Sequence, residues 1–199
     1  MTSAVNICSM KSMDLENTYC RPVVAKMFNT LPSCRWLPNT NNGDGTYISG
    51  RPDGEARMLG GRAIDIECKA GLGSIFMGDP ADPDNTCGWH YHQRNWHEYV
   101  AVCTQTPYWI ALWLYPERRP TRVYQKNARL FLAPPAAWLA VEAKLNGRKT
   151  LALNADLERE HAYKAITADS EFAPYALIFD PFWRIPLEHP FWQALKSCQ

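Results

Sequence analysis

A chain of 199 residues, 46% apolar and 21% charged, can bury a core without metal or disulfide staples, and it holds no apolar run long enough to cross a bilayer. Its formal net charge of +1 lacks the basic excess that marks strong polyanion binders, so any nucleic-acid contact has to come from a local cluster. Seven scattered cysteines without a C-x-x-C pair suit free thiols in a reducing compartment, and the opening MTSAVNICSMKSMDLE lacks a secretory pattern; both point to the cytoplasm and to no membrane partner.

In chain order, Leu15, Tyr19, Val23, Met27 and Leu31 recur every four residues and predict a helix with one apolar stripe, which Pro22 should kink or split. Asn39 to Gly45 is turn chemistry. Thr46 to Ile48, Gly54 to Leu59 and Ala63 to Lys69 read as strands, the last two joined by a hairpin turn at Gly60-Gly61. Gly71 to Tyr91 is the least regular stretch and reads as a long loop, mobile until a ligand orders it. Gln93 to Cys103 has helical spacing, Tyr108 to Tyr115 is a near-continuous apolar run that suits a buried strand, and Pro134-Pro135 opens a helix from Ala136 to Leu145, stopped by Asn146-Gly147. Phe182 to Trp192 is either a packed extension or a partner surface. The alternation predicts an α/β fold with a central mixed β-sheet flanked by helices. It forms one domain over 1–199, with its core at about 12–150 and a C-terminal extension at about 151–199.

Side chains alternate along a strand, so Ile64, Ile66 and Cys68 share one face and Asp65, Glu67 and Lys69 the other. Magnesium takes hard oxygen ligands and commonly only one or two protein carboxylates, leaving room for water and a substrate phosphate. Glu67 offers one such carboxylate. Asp53 lies one hairpin upstream, where an antiparallel return brings it to the same edge of the sheet, so that two carboxylates and the Lys69 ammonium converge. That set suits phosphodiester hydrolysis, in which Asp53 and Glu67 bind the metal and Lys69 positions or deprotonates the attacking water. The plain alternative is an edge strand with a solvated polar face.

Gly50-Arg51-Pro52-Asp53 followed by Glu67-Cys68-Lys69 resembles the PD-(D/E)xK nuclease superfamily, and within it the small VRR-NUC and Holliday-junction-resolvase-like members. The resemblance covers roughly Leu15 to Tyr115 and takes in Arg35-Trp36 and Asn39-Thr40. It implies a restriction-endonuclease-like core and a DNA endonuclease dependent on Mg2+, for which Mn2+ can substitute. It also implies structure-specific cleavage in recombination or repair, and site roles for Glu16 on the first helix and Gln93 on the helix after the catalytic strand. The long insertion from Gly71 to Tyr91 before Gln93 departs from the family pattern.

Arg118, Arg119, Arg122, Lys126 and Arg129 form the densest basic run and are candidates for DNA backbone contacts, against the alternative of a solvated turn. Cys87, His90 and His92, with His97 further on, could supply zinc ligands at a non-standard spacing, with a bent backbone needed for His90 and His92 to converge. Trp96, Trp109, Trp113 and Trp138 sit at core spacings and read as packing. Two other readings stay open: a nucleic-acid-binding or assembly protein on a nuclease fold that has lost turnover, and a zinc-stabilised interaction module. A homodimer is a candidate assembly.

Overall fold

A computed structural model describes residues 12–39, 51–77, 88–145, 150–152, 166–167 and 171–197. The expected strand at Thr46 to Ile48 and the helix stop at Asn146-Gly147 lie outside them. The fold is α/β, with a five-stranded mixed sheet between helices. Its strands are β1 (Cys34–Pro38), β2 (Gly54–Met58), β3 (Ala63–Leu72), β5 (Tyr108–Tyr115) and β6 (Arg129–Ala133), in the order β1-β2-β3-β5-β6. All neighbours are antiparallel except β3 and β5, which run parallel and are linked through α3 (Tyr91–Thr104).

The first helix runs from α1 (Ser12–Leu15) through a π-helical turn (Glu16–Cys20) into α2 (Arg21–Thr30). Pro22 explains the break: its ring crowds the carbonyl four residues back, at Thr18, and the turn there widens instead of stopping the helix. The expected hairpin between β2 and β3 is present, with Gly60 and Gly61 both at positive φ and the Met58 N–H donating to Arg62 O at 2.7 Å.

Alternation along the central strands divides the core. Ile66 and Cys68 of β3, with Trp109, Ala111 and Trp113 of β5, face Val24, Met27 and Phe28 of α2 and Phe191 of the last helix, α5 (Pro190–Ser197). Ile110, Leu112 and Leu114 of β5 face Trp89, Trp96 of α3 and Trp138 of α4 (Pro135–Leu145). The C-terminal stretch is a packed tail: Trp183, Ile185 and Phe191 are buried, and Phe191 meets Trp109 edge-on at 5.2 Å. No helix among the described residues is long and apolar enough to cross a membrane.

The long loop expected from Gly71 to Tyr91 is corrected at its N-terminal end. β3 continues to Leu72, and β4 (Ser74–Phe76) joins β7 (Thr150–Ala152) and β8 (Ile166–Thr167) in a second sheet. Residues 78–87 of that stretch lie outside the description.

Both edges of the main sheet are closed to further pairing. Along β1 the Cys34 N–H donates to Leu31 O at 3.2 Å, the Trp36 N–H donates to Asn29 Oδ1 at 2.9 Å, and Pro38 has no N–H. Along β6, Phe131 bridges to Ala176, and the Leu177 N–H donates to Leu130 O at 2.8 Å.

Candidate active site

β2 pairs with β3 only as far back as Gly54, opposite Ile66, so Asp53 arrives level with Glu67 where β3 runs on without that neighbour. Glu67 therefore lies on a central strand, the third of five, and Asp53 meets it at a fork inside the sheet and not at its outer edge. The Cys68 N–H donates to Asp53 Oδ2 at 2.7 Å, a carboxylate taking the place of a ladder carbonyl. Asp53 Oδ1 pairs with Arg21 from the first turn of α2. Asn39 holds the turn from both sides, through its N–H to Asp53 O at 3.0 Å and its amide to Pro52 O at 2.7 Å.

Glu67 and Lys69 are 1% and 2% exposed and pair at 2.8 Å. The polar face of β3 is thus roofed by α3 and not solvated, which removes the reading of an open strand face. Gln93 Nε2 donates to Glu67 Oε1 at 2.5 Å, and Tyr108 OH lies 3.5 Å from Oε2. Burial pushes the Glu67 carboxyl up to about 8; Lys69 opposes that rise, and the charges of Asp53 and Glu16 add to it. Burial works against the charge of Lys69, but Glu67, Glu16 and Asp53 outweigh it and hold its pKa above the ordinary lysine range. Lys69 thus sits within electrostatic reach of three carboxylates, Glu67, Glu16 and Asp53, and Arg21 pairs with the last of them.

Gln93 reaches the site because its helix is capped by its own side chain. The His90 N–H donates to Gln93 Oε1 at 2.9 Å, half of a capping box, which leaves the amide nitrogen aimed at Glu67. Arg94 fixes the same turn: its Nε donates to Trp89 O at 2.8 Å and its Nη1 to Glu142 Oε2 of α4 at 2.9 Å, while Trp138 Nε1 donates to Glu142 Oε1 at 2.9 Å. Removing this arginine alone strands a buried carboxylate. Arg94→Ala is expected to cost about 3 kcal/mol in urea unfolding. A paired Arg94→Met/Glu142→Gln change should recover most of that, and an unchanged midpoint in Arg94→Ala would show that the ion pair does not hold the roof.

All five residues expected at the site, Glu16, Asp53, Glu67, Lys69 and Gln93, are brought into one neighbourhood, with Glu16 joined through its charge on Glu67 and Lys69. Arg21 and Tyr108 were not legible from the sequence; an arginine ahead of a helical proline and a tyrosine opening an apolar strand carry no distinguishing pattern. Of the basic run, Arg129 stands apart from the site. Arg129 pairs with Leu114, four register steps beyond Ile110, the partner of Glu67, and two strands away. At ~3.3 Å per residue and ~4.8 Å per strand that is roughly 16 Å.

His90 and His92 meet where the chain turns into α3, and their rings stack at 5.3 Å. Burial, Lys69, His92 and Arg94 bring His90 down to about 4, and burial and Lys69 lower His92, so both rings are neutral at pH 7. His97 packs against Trp89 and Tyr108 as a core ring. Cys87 lies outside the described residues, among which no group of three or more His, Cys, Asp or Glu side chains is disposed to hold a metal.

No protein-family model, curated protein or solved structure matches this chain.

Proposed function

We propose that the protein is a Mg2+-dependent DNA endonuclease with a restriction-endonuclease-like core, in keeping with its resemblance to PD-(D/E)xK nucleases. The observation that carries this reading is the meeting of Asp53, Glu67 and Lys69 at the end of β2, with Gln93 and Glu16 beside them. The donor set suits such an ion, which commonly takes only one or two protein carboxylates: Asp53 and Glu67 supply two hard oxygen donors, and among the described residues no group of three or more His, Cys, Asp or Glu forms an all-protein cage. Asp53 and Glu67 would hold magnesium, or manganese in its place. When bound, the ion supplies charge stabilisation for the phosphate and a lower pKa for water.

The chain's own groups do the rest. Lys69, buried and held by Glu67, is placed to orient the attacking water and to oppose the charge that builds on the phosphate. Gln93 fixes the rotamer of Glu67. Arg21, more than a third exposed, can swing from Asp53 toward a phosphate oxygen. The four described cysteines are free thiols, which suits a cytoplasmic setting.

A second reading has one observation in its favour. The guanidinium of Arg21 sits on Asp53, where a protein that binds DNA without cutting it could keep a cation of its own.

The test is incubation of the purified protein with duplex, single-stranded and branched DNAs in magnesium, manganese or a chelator. Cleavage is expected with either metal and not with the chelator. Asp53→Asn should remove it, while Cys68→Ala, altered on the opposite apolar face, should retain most of it. An Asp53→Asn protein that cuts as the parent does would sink the reading, and an inactive parent would favour the second one.

A further inference from the structure

The face of the sheet that carries Glu67 and Lys69 continues past β3. Glu55 of β2 stands directly opposite Asp65 and Arg57 opposite Ala63; on β1, Leu37 stands opposite Glu55 and Arg35 opposite Arg57. Opposed residues share a face, so this row extends the candidate catalytic face outward across two strands. The helical roof stops short of it. Asp65 is buried beneath Trp96 of α3 and Glu55 is partly buried, whereas Arg57, Arg35 and Leu37 are exposed.

Two arginines directly opposite each other repel, and like charges in that arrangement weaken a strand pair. Glu55, at 2.7 Å, compensates Arg57. Among the described residues no carboxylate pairs with Arg35. Arg51 adds a third exposed cation beside the same face, close enough to favour the ionised form of Asp65. An open surface with unbalanced positive charge beside the candidate site is complementary to a polyanion.

We propose that the open face of β1 and β2 binds the sugar-phosphate backbone of duplex DNA, with Arg35 and Arg57 contacting phosphates several positions from the one at Asp53 and Glu67. This deepens the nuclease reading and rests on it for the choice of DNA. Arg57 and Arg35 lie four register steps from Glu67, one and two strands across, which at ~3.3 Å per residue and ~4.8 Å per strand is roughly 14 and 16 Å. With one charge per ~3.4 Å along each DNA strand, that span corresponds to about four or five base pairs. Arg129, at the end of the basic run, is no farther in distance, but it is reached across β5, whose corresponding face is buried under α3 and α4.

The experiment measures binding of a 20-base-pair duplex by fluorescence anisotropy over a range of salt, without divalent metal, with cleavage in magnesium assayed in parallel. Arg35→Ala/Arg57→Ala should bind more weakly to every sequence, and the slope of log affinity against log salt should become shallower by about two. A second variant guards against misfolding. Arg35→Glu places a carboxylate opposite Arg57, so its melting temperature should hold or rise while DNA affinity falls.

A parent that does not bind DNA, or variants that keep its affinity and salt slope, would overturn the proposal. If those variants also cut DNA as the parent does, the nuclease reading survives alone. If binding depends on Arg35 and Arg57 but no DNA is ever cut, the surface stands and the nuclease reading fails.

Discussion

Lys69→Ala is expected to lose both DNA cleavage and a large part of its stability, whereas the paired change Glu67→Gln/Lys69→Met should lose cleavage and keep the fold. Among the described residues the single change leaves Glu67 buried with the Gln93 amide and a long contact to Tyr108, and breaking a fully buried ion pair in this way costs about 3–5 kcal/mol. The loss falls toward the lower end because burial favours the protonated carboxyl of Glu67, which can take up a proton in place of its partner. In the paired variant both charges go. A glutamine at 67 still accepts from Gln93, and methionine fills the volume of the lysine stem, so stability should match or exceed the parent. Urea unfolding together with the cleavage assay checks both halves. A paired variant that still cuts DNA would end the assignment of this pair to catalysis, and Lys69→Ala with an unchanged midpoint would show that the pair contributes little to the fold.

Gly54→Ala should be nearly as damaging, although it adds a single methyl group. A Cβ at residue 54 would lie 2.2 Å from the Trp36 ring, and that ring cannot retreat because it stacks on Phe28 at 6.0 Å. Overpacking of this kind typically costs 1–3 kcal/mol, or about 2–12 °C in melting temperature for a domain of this size. Gly54 also opens β2 directly after Asp53, so the strain displaces the carboxylate and cleavage falls with stability. Trp36→Phe removes the clashing ring atoms. The double variant Gly54→Ala/Trp36→Phe should therefore be more stable than the sum of the two single changes predicts, and strict additivity would mean that the glycine is kept for some other reason.

What could be read in the sequence was local. β5 announces itself by an unbroken apolar run, the β2–β3 hairpin by paired glycines, and α4 by its opening prolines. β1 escaped because a five-residue segment holding an arginine and a proline has almost no period to detect. β4 escaped for a different reason: its partner β7 lies some 75 residues later, and nothing near Ser74 signals a pairing that distant. At the site, one hairpin sufficed to bring Asp53 beside Glu67. Gln93 looked displaced by the insertion before it, yet the parallel crossover returns α3 over β3 whatever the intervening length, so separation along the chain was a poor guide to separation in space.

The closed edges of the main sheet limit how two copies of this protein could cooperate. A nuclease that cuts both strands of a duplex commonly needs two active sites at a fixed spacing, and joining sheets edge to edge is one simple way to set it. Here the donors along β1 are used by Leu31 O and Asn29 Oδ1 or missing at Pro38, and β6 is occupied by residues 176–177. Two such sheets cannot fuse without first giving up bonds already made. If cleavage is paired, the partners must meet through helices or on the DNA itself, and the interval between their cuts would then be set by the substrate's geometry.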